Sequence, residues 1–250
     1  MNDKRVYFTD GTEQGFLTAV FDAYKDQNAY LTSEKNFQLS LGQVFVNVLP
    51  DVEKAERVLV KIKAIDANAA YDLGLVLRNR ETDREQTAFC YVRELVKTGR
   101  SVRGKLSLEC VRRMMDLRGQ VSNEVHRLKG FLRFSENADG ILYAPCSPDH
   151  DDVELLAPHF IARLNAPFVI HDVWREKAVL YNGKDCIVLP VGGAAIVESD
   201  REKFFSSLWK KYYDSVNIPA RKNLRQQKNY MPARYWKFLT ENPLGGADES

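Results

Sequence analysis

The spacing of apolar residues changes near residue 125, and this change constrains the fold more than any other feature of the chain. Residues 53–80 and 84–96 carry apolar side chains three and four positions apart, a pattern typical of helices. Beyond residue 125 the pattern becomes short extended runs bounded by turn residues, which predict strands. We therefore expect an α+β fold, in which a helical N-terminal half packs on a mixed, largely antiparallel sheet with flanking helices and a basic, aromatic C-terminal segment.

No stretch rich in Pro and Gly separates two domains in the sequence. The 250 residues, 44% of them hydrophobic, can form a sizeable core. Two organisations stay open: a single large domain of residues 1–250, or a mainly helical half of residues 1–124 followed by an α+β half of residues 125–250 with the basic tail.

The first half begins with a predicted strand at residues 5–9, followed by a helix for which Thr12 is the expected N-cap. A further strand is predicted at residues 43–49, and further helices at 106–117 and 121–128. In the second half, strands are predicted at residues 130–135, 141–144, 167–173, 177–181 and 185–189, and helices at 148–164 and 200–213. Asn182-Gly183 predicts a two-residue hairpin turn.

Residues 219–239 combine cations and aromatic rings without a carboxylate. The cations are Arg221, Lys222, Arg225, Lys228, Arg234 and Lys237, and the rings are Tyr230, Tyr235, Trp236 and Phe238. Cations at this density neutralise phosphates, and flat rings stack on unpaired bases, so the segment favours nucleic acid. The alternative is that Tyr235, Trp236 and Phe238 fold onto the core as a clasp with solvated cations around them.

A second basic cluster lies at residues 125–134, with Arg127, Lys129 and Arg133 around apolar residues. If this run is a strand, Lys129 and Arg133 project from the same side and can extend a phosphate-binding groove. A plain amphipathic strand explains the same pattern. The whole chain carries a net charge of only +2, so any attraction to a polyanion must be local.

Histidines offer candidates for proton transfer or metal binding. His126, His159 and His171 lie in the second half, and Asp172 follows His171. Neighbours on a strand point to opposite faces, however, and no short spacing joins two ligands, so each imidazole can equally be a hydrogen-bonded structural residue.

Carboxylates cluster at Asp149, Asp151, Asp152 and Glu154. They could hold Mg²⁺ for phosphodiester chemistry, or they could cap a helix, with Ser147 or Asp149 as the N-cap and acids in the first turn. The capping interpretation is the ordinary one for this pattern.

The four cysteines lie far apart without the short spacings of zinc sites, and no phosphate-binding or nucleophile motif is present. We therefore expect no metal and no cofactor. The sequence contains no apolar run of the kind that a signal peptide or a membrane span needs, which predicts a reducing, cytoplasmic setting without membrane association.

Four segments together resemble a bacterial family described as probable DNA metabolism proteins, which contains domain of unknown function 4130. They are YFTDGTEQGFLTAVFDAYK, VHRLKGFLRF, PHFIARLNAPFVIHDVWREKAVLYNGK and NIPARKNLRQQKNYMPARYWKFLTE. The resemblance implies DNA repair or modification alongside a radical SAM protein, and it covers nearly the whole chain. It transfers no established catalytic residue, but it adds Arg163 and Arg175 to the candidate DNA contacts. The chain itself lacks the cysteine triplet of an iron-sulfur cluster.

The resulting hypothesis is a DNA-binding accessory protein in repair or modification that acts with a radical SAM partner on damaged or single-stranded DNA. Phosphates would be held by the basic tail and by Arg127, Lys129, Arg133, Arg163 and Arg175, and Tyr235 or Trp236 would stack on a base. Two alternatives remain. One is a nucleic-acid-processing enzyme that uses His126, His159, His171 and Asp172, and the other is a protein–protein adaptor.

Overall fold

The structure, a computed structural model, describes residues 4–34, 36–38, 40, 42–192, 199–218 and 223–241. The chain divides into two compact units, Met1–Ser122 and Asn123–Ser250. Helices and two separate sheets form these units, so the predicted α+β class is confirmed.

A three-stranded parallel sheet opens the first unit. It consists of β1 (Lys4–Phe8), β2 (Tyr30–Thr32) and β3 (Gln43–Asn47) in the order β2-β1-β3. The helix α1 (Glu13–Ala23) follows β1 and begins as predicted at Thr12, whose hydroxyl accepts a hydrogen bond from the backbone N–H of Gly15. Such a cap satisfies a donor that the first helical turn leaves unpaired.

Three further helices cover this unit: α2 (Val52–Ile65), α3 (Ala67–Val76) and α4 (Arg84–Thr98). The predicted helical stretch 53–80 is interrupted at Asp66, which ends α2 and caps α3 by accepting from the backbone N–H of Asn68. Apolar faces of these helices meet in a core that includes the fully buried Phe16, Ile62 and Phe89.

The helix α5 (Glu109–Phe131) runs from the first unit into the second. The prediction of two helices was wrong, because the helix continues through Gly119, which costs only about 1 kcal/mol relative to Ala. The predicted strand at residues 130–135 was also wrong: α5 extends to Phe131, and β4 comprises only Ser135–Glu136. The buried Val125 and Leu128 are spaced for a helix face, and this burial overrides the local alternation.

The second unit contains a five-stranded sheet in the order β4-β5-β6-β7-β8. Its other strands are β5 (Leu142–Cys146), β6 (Phe168–Asp172), β7 (Lys177–Tyr181) and β8 (Cys186–Pro190). Among the described strands of this sheet, only β5 and β6 pair in parallel, and α6 (Val153–Leu164) connects them, so the expected mixed and largely antiparallel sheet is confirmed.

The hairpin between β7 and β8 forms, but its loop is longer than predicted. Tyr181 pairs with Cys186, which leaves a four-residue connection, residues 182–185. The side-chain oxygen of Asn182 accepts from the backbone N–H groups of Lys184 and Asp185, and Gly183 adopts a φ of +98°. The backbone N–H of Asn182 donates to the carbonyl of Asp185 at 3.2 Å, so the Asn182 backbone and side chain together close the turn.

Three helical elements complete the described chain: α7 (Asp200–Val216), α8 (Leu224–Tyr230) and a 3₁₀ helix (Ala233–Phe238). Neither α7 nor α8 contains a buried residue. Among the residues that the structure describes, no helix combines the length and apolar character needed to cross a bilayer.

Candidate nucleic-acid interface

The basic, aromatic segment has two structurally different parts. In the 3₁₀ helix, Tyr235 is 3% exposed and Trp236 is 8% exposed. The indole N–H of Trp236 donates to the backbone carbonyl of Met231 at 3.0 Å, and the Tyr235 ring lies 6.0 Å from that of Phe131. The expectation that Tyr235 or Trp236 is open for stacking was therefore wrong. These two rings are buried, as in the alternative that they fold onto the core as a clasp.

Glu124, on α5, holds this clasp. Its buried carboxylate accepts hydrogen bonds from the Tyr235 hydroxyl, from the Arg234 guanidinium at 2.7 Å, and from the backbone N–H groups of Asp149 and His150. Burial alone would raise the pKa of Glu124, but these hydrogen bonds outweigh it and lower the pKa overall. For Tyr235 both burial and the hydrogen bond to Glu124 raise the pKa of the phenol.

Three arginines predicted to hold phosphates are bound to carboxylates instead. Arg234 also lies 2.8 Å from Asp149, Arg175 lies 2.7 Å from Asp172, and Arg133 lies 3.0 Å from Glu241. Arg175 further donates to the backbone carbonyls of Pro148 and Asp149. Because these guanidinium groups already have anionic partners, they stabilise unit 2 and are not the free cations that the sequence indicated.

The exposed part of the segment is α8. Arg225, Lys228 and Tyr230 are all exposed, and Tyr230 is 72% exposed. A shallow hollow of about 460 Å³ is lined by Asn223, Arg225, Gln226, Asn229 and Tyr230. Residues three and four apart on a helix share one side, so Gln226, Asn229 and Tyr230 line the hollow together. This hollow combines a guanidinium, amide groups and an open ring.

The remaining predicted cations differ in their surroundings. Lys237 is exposed, with its ammonium 4.8 Å from the Phe238 ring centre. Arg127 on α5 and Arg163 on α6 are exposed, and Lys129 is half-buried. Burial lowers the pKa of His159, and the charges of Lys129 and Arg163 lower it further, which places both cations near this imidazole. Arg221 and Lys222 lie outside the described residues.

The catalytic candidates lie on three different elements. His126 is exposed on α5, His159 lies on α6, and His171 is buried on β6 with its Nδ1 2.7 Å from the Tyr143 hydroxyl. Asp172 is buried and accepts from the backbone N–H and guanidinium groups of Arg175. Over the described residues, no group of three His, Cys, Asp or Glu side chains is placed to hold a metal ion.

The acidic cluster around residues 149–154 forms ion pairs. Asp151 and Glu154 both contact the Lys177 ammonium, at 2.9 and 2.6 Å. The predicted caps Ser147 and Asp149 were wrong, because α6 begins after Asp152, and that residue makes no side-chain cap bond. Burial, reinforced by the charge of Glu124, raises the pKa of Asp152 to about 8.

Sequence reasoning missed an open aromatic face on α7. Phe204, Phe205 and Tyr212 are each more than half exposed, and Trp209 is 43% exposed. A groove of about 600 Å³ beside this helix is lined by Phe205, Trp209 and Tyr212 together with Arg133, Glu202, Ser206, Leu208 and Thr240. The signal was present as rings three and four positions apart between lysines, but a helix face of this kind ordinarily packs on a core.

Comparison with known proteins gives one match. The family model described as Domain of unknown function (DUF4130) matches residues 82–241, which is more than half of the chain and includes Glu124, α8 and the 3₁₀ helix. No curated protein matches the chain, and no solved structure matches it. The chain therefore belongs to the DUF4130 family.

Proposed function

We propose that this protein binds single-stranded DNA through α8, as an accessory factor in DNA repair or modification. The observation that carries the proposal is the composition of one exposed surface. Arg225, Lys228 and the open ring of Tyr230 lie on a helix without a buried residue, in a segment without a carboxylate. The cations can neutralise backbone phosphates, and the ring can stack on an unpaired base.

The charges suit a single strand of a few nucleotides. Arg225, Lys228 and Lys237 are exposed, and no ion pair to a carboxylate is found for them within the described residues. Each cation that neutralises a phosphate releases counterions. For each such contact on a single strand, the logarithm of the binding constant should therefore fall by about 0.7 per tenfold increase in salt concentration. Stacking of one base on Tyr230 should contribute about 1–3 kcal/mol.

The amide groups of the hollow supply the remaining contacts. Asn223, Gln226 and Asn229 offer donors and acceptors beside Tyr230, and base edges form hydrogen bonds with such amides. In duplex DNA the Watson–Crick edges are paired and the base faces are stacked, so neither these edges nor a face for the Tyr230 ring is open. The proposal therefore specifies single-stranded DNA over duplex DNA.

The clasp supports the proposal because it holds α8 close to a fixed anchor. Met231, which ends α8, accepts the hydrogen bond of the buried Trp236 indole, and Arg234 and Tyr235 bind Glu124. A binding helix tied to the fold loses less conformational freedom when DNA binds. In this account Tyr235 and Trp236 position the interface and do not contact bases.

The setting in repair or modification, and the action alongside a radical SAM protein, rest on the family resemblance of the sequence. Co-purification of the two proteins, with and without nuclease treatment, tests the partner. Loss of the complex after nuclease treatment would show that DNA bridges the two proteins, whereas persistence would show direct contact.

Fluorescence anisotropy with a labelled single-stranded oligonucleotide and its duplex tests the binding itself. Tyr230→Ala should weaken single-strand binding about tenfold, as expected for one lost stacking contact. Lys63→Ala, an exposed cation on α2 in the other unit, is the matched control and should bind like the wild type. Equal affinity of wild type and Tyr230→Ala would refute the assignment to α8.

A further inference from the structure

A groove in the first unit combines apolar and basic residues, and the proposed DNA binding by α8 does not involve it. It holds about 530 Å³ between α1 and α2, with α4 contributing Val92 and Val96. Val20, Ile62 and Val92 are at most 2% exposed and form its apolar base. Phe21 and Tyr24, at 37% and 38% exposed, form one side of its rim. The groove is thus open to solvent above a buried apolar base.

The rim carries an excess of positive charge. Lys25, in the turn that follows α1, and Arg57 and Lys61 on α2 line the groove and are exposed. Asp22, the carboxylate among the lining residues, is already bound by Lys54 at 2.8 Å. Over the part of the chain that the structure describes, no ion pair joins Lys25, Arg57 or Lys61 to a carboxylate.

The positions of these cations indicate what kind of anion the groove fits. Arg57 and Lys61 are one helical turn apart on α2, and Lys25 lies in the turn that follows α1. The guanidinium carbon of Arg57 also lies 5.2 Å from the centre of the Phe21 ring, which fixes that charge at the rim. Charges spread between α2 and the turn after α1 suit several carboxylates along a chain better than one compact anionic group.

We propose that this groove binds an acidic peptide segment of a partner protein. One or two apolar side chains of the segment insert between α1 and α2 onto Val20, Ile62 and Val92, and flanking carboxylates pair with Lys25, Arg57 and Lys61. An apolar anchor in a pocket supplies most of the affinity of such complexes, and the charged rim supplies orientation and selectivity. The site lies largely outside the matched residues 82–241 and is independent of DNA binding by α8.

The test is fluorescence anisotropy of the full-length protein with a labelled synthetic peptide, in which Asp and Glu surround two Leu and one Phe. Two matched peptides serve as probes, one with Asn and Gln in place of the acids and one with Ser in place of the apolar residues. Both should bind about tenfold or more weakly than the acidic, apolar peptide.

Variants locate the site. The double variant Arg57→Glu/Lys61→Glu should bind the acidic peptide at least about tenfold more weakly, since two attractions become repulsions at exposed positions. Lys63→Glu, also exposed on α2 but not lining the groove, should bind within about twofold of wild type. Unchanged binding by the double variant would overturn the proposal. It would also be overturned if dodecanoate bound with this charge dependence while the peptide did not, since the groove would then be a site for a small anionic amphiphile.

Discussion

Asp152 is a fully buried carboxyl group at the start of α6, and Asp152→Asn should make the protein more stable at neutral pH. Neither oxygen of Asp152 has a hydrogen-bond partner among the described residues. Burial and, to a smaller extent, the negative charges of Glu124, Asp172 and Asp151 raise the pKa of Asp152 from 3.8 to about 8 against the opposing charge of Arg175. The folded protein therefore keeps this group protonated where the unfolded chain ionises it.

The sign and size of the effect follow from proton linkage. Between about pH 4 and pH 8 the unfolded state releases the proton and the folded state retains it, so the wild type loses stability as the pH rises through this window. Each pKa unit corresponds to about 1.4 kcal/mol, which gives as much as roughly 4 kcal/mol at pH 7. Asn does not ionise, so Asp152→Asn removes this loss.

Urea unfolding followed by tryptophan fluorescence measures the difference, because Trp174, Trp209 and Trp236 all lie in the second unit. The free energy of unfolding of Asp152→Asn should be close to that of wild type at pH 4 and should exceed it increasingly up to pH 8. Asp172→Asn is the control and should be destabilising, because the Asp172 carboxylate accepts from two backbone N–H groups and from Arg175. An Asp152→Asn variant that is no more stable at pH 7, or whose advantage is the same at pH 5 and pH 8, would refute the reasoning.

Further predictions concern the clasp and its boundary with α8. Glu124→Gln should cost about 2–4 kcal/mol in urea unfolding, because the charged acceptor of Arg234 and Tyr235 is lost. Since the pKa of Glu124 is lowered below 4.5, its contribution in the wild type should be present above that pH and fall away below it, and Glu124→Gln should lack this acid dependence. Trp236→Ala should cost about 3–5 kcal/mol, whereas Tyr230→Ala should change the free energy of unfolding by less than about 0.5 kcal/mol. Similar destabilisation by both ring deletions, seen by thermal and urea unfolding, would contradict the division between a buried clasp and an exposed helix.

Local patterns were sufficient where short-range contacts decide the structure. The strands β6, β7 and β8 and the helix cap at Thr12 follow from alternation and turn residues that lie within a few positions of one another. The parallel pairing of β1 with β2 and β3 was not predicted, because it depends on segments joined by long connections.

The fate of the C-terminal rings could not be predicted from composition. Tyr235 is buried because its hydroxyl binds Glu124, which lies 111 positions earlier in the sequence. The same carboxylate binds Arg234. Because Glu124 holds both Arg234 and Tyr235, these two candidate DNA contacts instead attach the C-terminal segment to α5. The sequence showed the segment as uniform, and only the long-range partner separates α8 from the 3₁₀ helix.

The central claim, that α8 presents free cations to a single strand of DNA, is tested most directly by the salt dependence of binding. Anisotropy titrations of a labelled single-stranded oligonucleotide across a salt series give the slope of the logarithm of the binding constant against the logarithm of the salt concentration. This slope should be less steep for Arg225→Ala/Lys228→Ala than for wild type, by about 1.4 for two lost phosphate contacts. The pair Lys63→Ala/Lys184→Ala, exposed cations that do not belong to α8, should retain the wild-type slope. No binding by the wild type at low salt, or the same slope for all three proteins, would contradict the account.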